Sequence, residues 1–167
     1  MLQAHAEFAA GDAQAVRTIR EANEIARETP TYVLPFGLGL AAMIAHDPAE
    51  RAAALAEGEA VLAAGAVSHN CIFFNRYAIE ACIAAKDWAA VEHHAAALEH
   101  SMAKEPLPMT DFLVSRARLL AAAADDRADT TGLAQLIAQA KAKSWRAVLP
   151  ALEEALAALT GTASVGN

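Results

Sequence analysis

Six histidines give this chain its most obvious capacity for metal chemistry. Helical metal sites use imidazoles four residues apart, because those side chains share one face. His93 and His100 lie two turns apart on a predicted helix, about 10.5 Å along its axis, and His94 points to another face. One ion cannot readily take both, and the chain has no Cys-x-x-Cys pair. We therefore predict no metal site and side chains that face solvent or a groove. The histidines are His5, His46, His69, His93, His94 and His100.

The carboxylates and nucleophiles form no recognisable catalytic motif. Glu57 and Glu59 fall on different helix faces, and no Gly-x-Ser-x-Gly sequence is present. Ser68 or Asn70 is interpreted as a helix N-cap, and Cys82 as a small apolar core residue. The sequence predicts no catalytic residue, no cofactor and no enzyme activity. A buried, perturbed carboxylate beside His69 or His93 would favour an enzyme instead.

Composition narrows the classes of partner. The 167 residues are 56% hydrophobic but only 5% aromatic, and the net charge is −7. Without a basic cluster, nucleic acid and anionic membranes are poor partners. The longest apolar stretch, 32–45, contains Pro35 and two glycines and is too short to span a bilayer. Cys71 and Cys82 would lie roughly 16 Å apart on one helix, too far for a disulfide. We expect a reduced, cytoplasmic protein without a signal peptide.

Apolar periodicity predicts paired helices almost throughout. Helix 71–85 is apolar on two opposite faces, as expected of a helix packed between neighbours. Turns such as "AAGDA", "AHDPA", "AAKDW" and "AADDRAD" recur at intervals of about 35 to 42 residues, the period of helical hairpins. We predict an all-α, right-handed superhelix of about seven to nine helices, built from antiparallel hairpins. It would form one domain over 1–159, followed by a disordered tail at 160–167.

The hairpin pattern resembles the tetratricopeptide repeat (TPR). Lys86-Asp87-Trp88 stands where that family has Gly-Asp-aromatic, Ala78 occupies a small inner-helix position, and Pro106 lies near the closing proline. A second likeness is to the C-terminal helical repeats of bacterial signalling proteins that join a class III adenylate or guanylate cyclase to an ATPase. It covers roughly 50–158 and rests on "LAEGEAVLAAGAVSHNCIFFNRYAIEACIAAKDW", "AALEHSMAKEPLPMTDFLVSRARLLAA" and "LPALEEAL". These resemblances imply a TPR-like α-solenoid that senses a signal or binds a protein.

Two arginines are the main candidates for binding. Arg76 and Arg116 occupy equivalent positions in "NRYAIEACIAAKD" and "SRARLLAAAADDR", about 40 residues apart. Each sits on an apolar face and must either be paired or open onto a groove. Glu80, one turn from Arg76, could pair with it, and an internal salt bridge stays an alternative. The aromatic side chains that could add contacts are Phe73, Tyr77 and Trp88, although such residues more often belong to the core.

The predicted function is a non-catalytic module for binding a protein or peptide in bacterial signalling. The alternative is a sensor that binds a small acidic metabolite in the inner groove. An enclosed apolar cavity with convergent polar groups would favour the sensor, and an open concave face would favour peptide binding. The first hairpin looks truncated, so a homodimer could cover its exposed apolar surface.

Overall fold

A computed structural model describes residues 1–28, 33–65, 67–125, 127 and 129–161, with only the backbone of Ser68. These residues form nine α-helices and no β-strand, which confirms the all-α prediction for the described chain. A short 3-10 helix, Arg146–Val148, precedes the last α-helix. Of the tail predicted at 160–167, residues 162–167 lie outside the described residues. The α-helices are α1 (Leu2–Ala9), α2 (Gln14–Glu28), α3 (Leu34–Ile44), α4 (Pro48–Ala63), α5 (Ser68–Ala85), α6 (Trp88–Met102), α7 (Pro108–Ala124), α8 (Thr130–Ala142) and α9 (Leu149–Leu159).

Aspartates fix the start of every second helix. The Asp87 carboxylate accepts a hydrogen bond from the Ala90 amide at 3.1 Å, as the sequence predicts. At the starts of α2, α4 and α8, an aspartate carboxylate likewise accepts a hydrogen bond from a backbone amide. These bonds are 2.8, 2.9 and 2.9 Å long. Pro48 and Pro150 lie in the first turns of α4 and α9, where their missing N–H groups break no helical bond. These local signals account for the hairpin boundaries.

The start of α5 differs from the prediction. The helix begins at Ser68 rather than at 71, and its N-cap is Val67, which makes no side-chain capping bond. The expectation that Ser68 or Asn70 caps this helix is therefore wrong. Asn70 lies inside the first turn and is 2% exposed, so its side chain is buried in the interior of the protein.

The chain divides into two compact units. Unit 1, Met1–Glu105, contains α1 to α6, and unit 2, Pro106–Asn167, contains the remaining helices. In unit 1, α3 packs against α2, α4 and α5, and α5 in turn packs against α6. In unit 2, α7, α8 and α9 pack against one another. The position of α5 among three neighbouring helices agrees with its two apolar faces.

Two glycines allow α3, α4 and α5 to approach closely around Phe74. A Cβ atom at Gly39 would lie 3.0 Å from the Phe74 carbonyl oxygen and 3.1 Å from its Cα. A Cβ atom at Gly58 would overlap the Phe74 ring. Phe74 itself is fully buried. Gly58 therefore marks a close helix crossing, and Gly37-Leu38-Gly39 lies within α3.

Membrane insertion has no support among the described helices. None of them combines the length and the apolar character that crossing a bilayer requires.

The crossing at Gly58 yields a stability prediction. Gly58→Ala should destabilise the protein by about 2 kcal/mol, because the new methyl group collides with the Phe74 ring. The loss should appear although alanine favours a helix by about 1 kcal/mol over glycine. Urea unfolding measures the difference. The same substitution in a Phe74→Leu background should cost less, because leucine removes the ring atoms that collide. A Gly58→Ala protein as stable as the wild type would contradict the crossing.

Candidate functional site

Aromatic side chains from three helices meet at α5 in unit 1. Phe36 of α3 lies 5.2 Å from Phe73 and 5.6 Å from Tyr77, measured between ring centroids. His5 of α1 contacts the Tyr77 ring edge-on at 5.7 Å. Tyr77 is 5% exposed and anchors the group, whereas Phe73 is 40% exposed. We call His5, Phe36, Phe73, Tyr77 and Arg76 the aromatic surface.

Arg76 adds a positive charge to this surface. Its guanidinium carbon lies 5.6 Å from the centre of the Tyr77 ring, within the range of a cation–π contact. Burial raises the pKa of Tyr77, and the Arg76 charge acts in the opposite direction. Glu80 is half-buried one turn further along α5. The structure thus places the four predicted site residues of α5, namely Phe73, Arg76, Tyr77 and Glu80, along one helix.

Arg116 belongs to α7 of unit 2. Its side chain is 1% exposed, and Thr110 of the same helix is equally buried. That both arginines line one surface stays a prediction.

A cleft lies between α2, α3 and α4. Its volume is about 230 Å³, and Asn23 and Leu38 help to line it. Two ion pairs bridge α2 and α4 across it. Arg20 Nη2 lies 3.3 Å from Glu50 Oε1. The Arg27 guanidinium donates two hydrogen bonds of 2.6 Å to the Glu57 carboxylate.

The Arg27–Glu57 pair is the stronger of the two bridges. Its hydrogen bonds raise the pKa of Arg27 and lower the pKa of Glu57. Because each cleft arginine faces a glutamate, the positive charges are offset within the protein.

A polar cluster joins α4 to α6. His93 Nε2 lies 2.9 Å from Glu59 Oε1, and His94 Nε2 lies 3.9 Å from the same oxygen. The Nδ1 atom of His94 makes a 3.1 Å hydrogen bond with Asn75 Oδ1. Asn75 Nδ2 in turn donates to the Cys71 carbonyl at 2.9 Å. We call Glu59, His93 and His94 the histidine cluster.

His94 lies in the interior, contrary to the prediction that the histidines face solvent or a groove. Its side chain is 2% exposed and packs edge-on against the Phe74 ring at 5.7 Å. The sequence places Glu57 and Glu59 on different helix faces, and the Glu59 carboxylate lies near both His93 and His94. One signal could have found this cluster. His93 and Glu59 are separated by 34 residues, close to the hairpin period, so they occupy neighbouring second helices.

Cys82 and Glu59 do not have the surroundings of an activated nucleophile or a buried carboxylate. Burial raises the pKa of Cys82 to about 11, with Asp87 acting in the same direction. Both cysteines are free, as the predicted separation requires. Glu59 lies beside His93 but its side chain is 45% exposed, so it is not the buried carboxylate that would favour an enzyme.

Comparison with known proteins provides no relative. No protein-family model matches the chain, and neither curated proteins nor solved structures give a match.

The buried histidine predicts acid sensitivity. Burial lowers the pKa of His94 from 6.5 to about 4; Glu59 and Asp87 oppose this shift, and His93 adds to it. The unfolded chain therefore binds a proton before the folded chain does as the pH falls. The contribution of His94 to the free energy of unfolding should be fully present above about pH 6.5. It should decrease by about 3 kcal/mol towards pH 4.

Urea unfolding at a series of pH values measures this effect. His94→Gln should flatten the profile between pH 6.5 and 4, because glutamine does not titrate. His100→Gln, at an exposed position of the same helix, should keep the wild-type profile. Parallel profiles for the wild type and His94→Gln would contradict the assignment.

Proposed function

We propose that the chain is a TPR-like repeat module that binds a protein or peptide segment through the aromatic surface. The observation that carries this proposal is the exposed Phe73 ring. It packs against Phe36, which stacks on Tyr77, and the Arg76 guanidinium lies over the Tyr77 ring. Aromatic and arginine side chains dominate the energetics of protein interfaces. A ring that is already fixed by its neighbours also loses little conformational entropy on binding.

The repeat architecture is part of the same proposal. Three hairpins follow one another in unit 1, and ion pairs connect their second helices at regular sequence intervals. Arg20–Glu50 and Arg27–Glu57 span 30 residues between α2 and α4, and Glu59–His93 spans 34 between α4 and α6. Such repetition supports hairpins that stack side by side, as in a right-handed solenoid. The first helices of the hairpins then carry the binding surface.

The chemistry of the surface defines the segment it would take. Phe73 offers an apolar contact, and Arg76 favours a carboxylate, to which a guanidinium donates paired hydrogen bonds. The net charge of −7 opposes a densely acidic partner. We therefore expect a short segment with one apolar anchor and one nearby carboxylate, supplied by a side chain or a chain terminus.

A sensor for an acidic metabolite is the weaker proposal. The cleft between α2, α3 and α4 has the size for a small ligand, but its two arginines already form ion pairs with Glu50 and Glu57. A metabolite carboxylate would have to displace them. The aromatic surface offers the exposed Phe73 ring as an apolar contact instead, which favours the peptide.

The biological setting is proposed from sequence alone. The likeness to the repeats of cyclase–ATPase proteins supports a role in bacterial signalling in the cytoplasm. The segments that carry this likeness contain no catalytic motif, so the proposed module is non-catalytic.

Selection from a library of displayed random peptides tests the function. Enriched peptides should pair an apolar residue with a carboxylate. Phe73→Ala and Arg76→Ala should each weaken binding of a selected peptide at least about fivefold, measured by fluorescence polarisation. Arg17→Ala removes an exposed arginine of α2 and is the matched control. If both α5 variants bind every selected peptide as tightly as Arg17→Ala, the aromatic surface is not the binding site.

A homodimer through the first hairpin is a separate expectation. Leu2 and Phe8 of α1 are 77% and 41% exposed, and self-association would cover them. Light scattering at high concentration should show a dimer that Leu2→Glu and Phe8→Glu dissociate. A wild-type protein that stays monomeric would contradict it.

A further inference from the structure

We propose that Glu59, His93 and His94 form a binding site for a divalent transition-metal ion of the Zn²⁺ type. Each residue offers one ligand atom, and the three atoms lie within 4.8 Å of one another. This site is independent of the aromatic surface and of the peptide it would bind.

The spacing suits a zinc ion after a small adjustment. Zinc binds imidazole nitrogen and carboxylate oxygen at about 2.0 to 2.2 Å, so neighbouring ligands of a tetrahedral ion lie roughly 3.3 Å apart. The cluster gives 2.9 Å from Glu59 Oε1 to His93 Nε2 and 3.9 Å to His94 Nε2. His93 is 64% exposed, so its ring is free to make the adjustment.

Asn75 prepares His94 for this role. Its amide group donates to the Cys71 carbonyl, which turns Oδ1 towards His94. An amide oxygen only accepts, so the proton of the neutral imidazole must sit on Nδ1. The lone pair of Nε2 then faces Glu59 Oε1 from a side chain that is 3% exposed. A hydrogen bond from the second ring nitrogen is the usual way in which proteins orient a metal-binding histidine.

Two electron-rich atoms face each other in this arrangement. At 3.9 Å the Glu59 oxygen and His94 Nε2 are beyond hydrogen-bond distance. A cation between them would bind both atoms. His93 Nε2 already lies 2.9 Å from the same Glu59 oxygen, so one metal ion would satisfy all three ligands.

The ligand set selects the class of ion. Two imidazoles and one carboxylate suit Zn²⁺, Ni²⁺ or Cu²⁺, whereas Mg²⁺ and Ca²⁺ prefer oxygen ligands. Three protein ligands leave room for water or for a further ligand, and two of the three side chains are open to solvent.

Calorimetric titration with Zn²⁺ on an untagged chain tests the site. We expect one ion per chain, and Glu59→Gln and His93→Gln should each weaken binding by at least about tenfold. Both residues are exposed, so these variants should fold. Asn75→Ala tests the positioning role and should weaken binding about 10- to 100-fold, with folding checked by circular dichroism. His100→Gln is the matched control.

A second readout distinguishes this site from adventitious binding. The electron paramagnetic resonance spectrum of the Cu²⁺-loaded chain should show coupling to two imidazole nitrogens, reduced to one in His93→Gln. Excess Mg²⁺ should not displace Zn²⁺. Absence of Zn²⁺ binding, or equal affinity in the wild type, Glu59→Gln and His93→Gln, would overturn the proposal and leave the cluster as a His93–Glu59 ion pair.

Discussion

The close packing around Phe74 is the constraint on which the rest of unit 1 depends. Its backbone lies against Gly39 and its ring against Gly58, so α5 is held between α3 and α4 at a separation that any side chain at either glycine would increase. Successive residues of a helix point about 100° apart. Fixing Phe74 therefore also fixes Phe73 on the aromatic surface and Asn75 against His94. Three consecutive residues connect the core to both candidate sites.

The alanine-rich composition explains why polar groups are buried where neighbouring helices contact each other. Small residues such as Ala78, Ala81 and Ala95 are fully or almost fully buried and let the helices approach closely. Polar side chains at the edges of such narrow contacts lose access to water and must find partners. Asn75 and His94 satisfy this requirement through each other. A core built from larger side chains would separate the helices and expose both groups.

The sequence predicts what local chemistry determines. An aspartate caps its own helix, as at Asp87, and a proline is tolerated in a first turn, as at Pro48, because the interactions span a few residues. The cost of glycine in a helix likewise points to a crossing at Gly58. Periodicity identifies which residues share a face but not what that face meets. The burial of His94 and the start of α5 therefore could not be read from it.

Contacts between hairpins can be predicted by comparing residues that lie one repeat apart in the sequence. The Arg27–Glu57 pair and the Glu59–His93 pair each span about one repeat, so the offset that relates hairpins also relates their charged partners. Comparing residues one period apart on the second helices, rather than within one helix, would have found both. Arg76 and Arg116 are related by a similar offset, but they are like residues and cannot pair with each other. In a stacked repeat the informative pairs are complementary, because adjacent hairpins contact each other through unlike side chains.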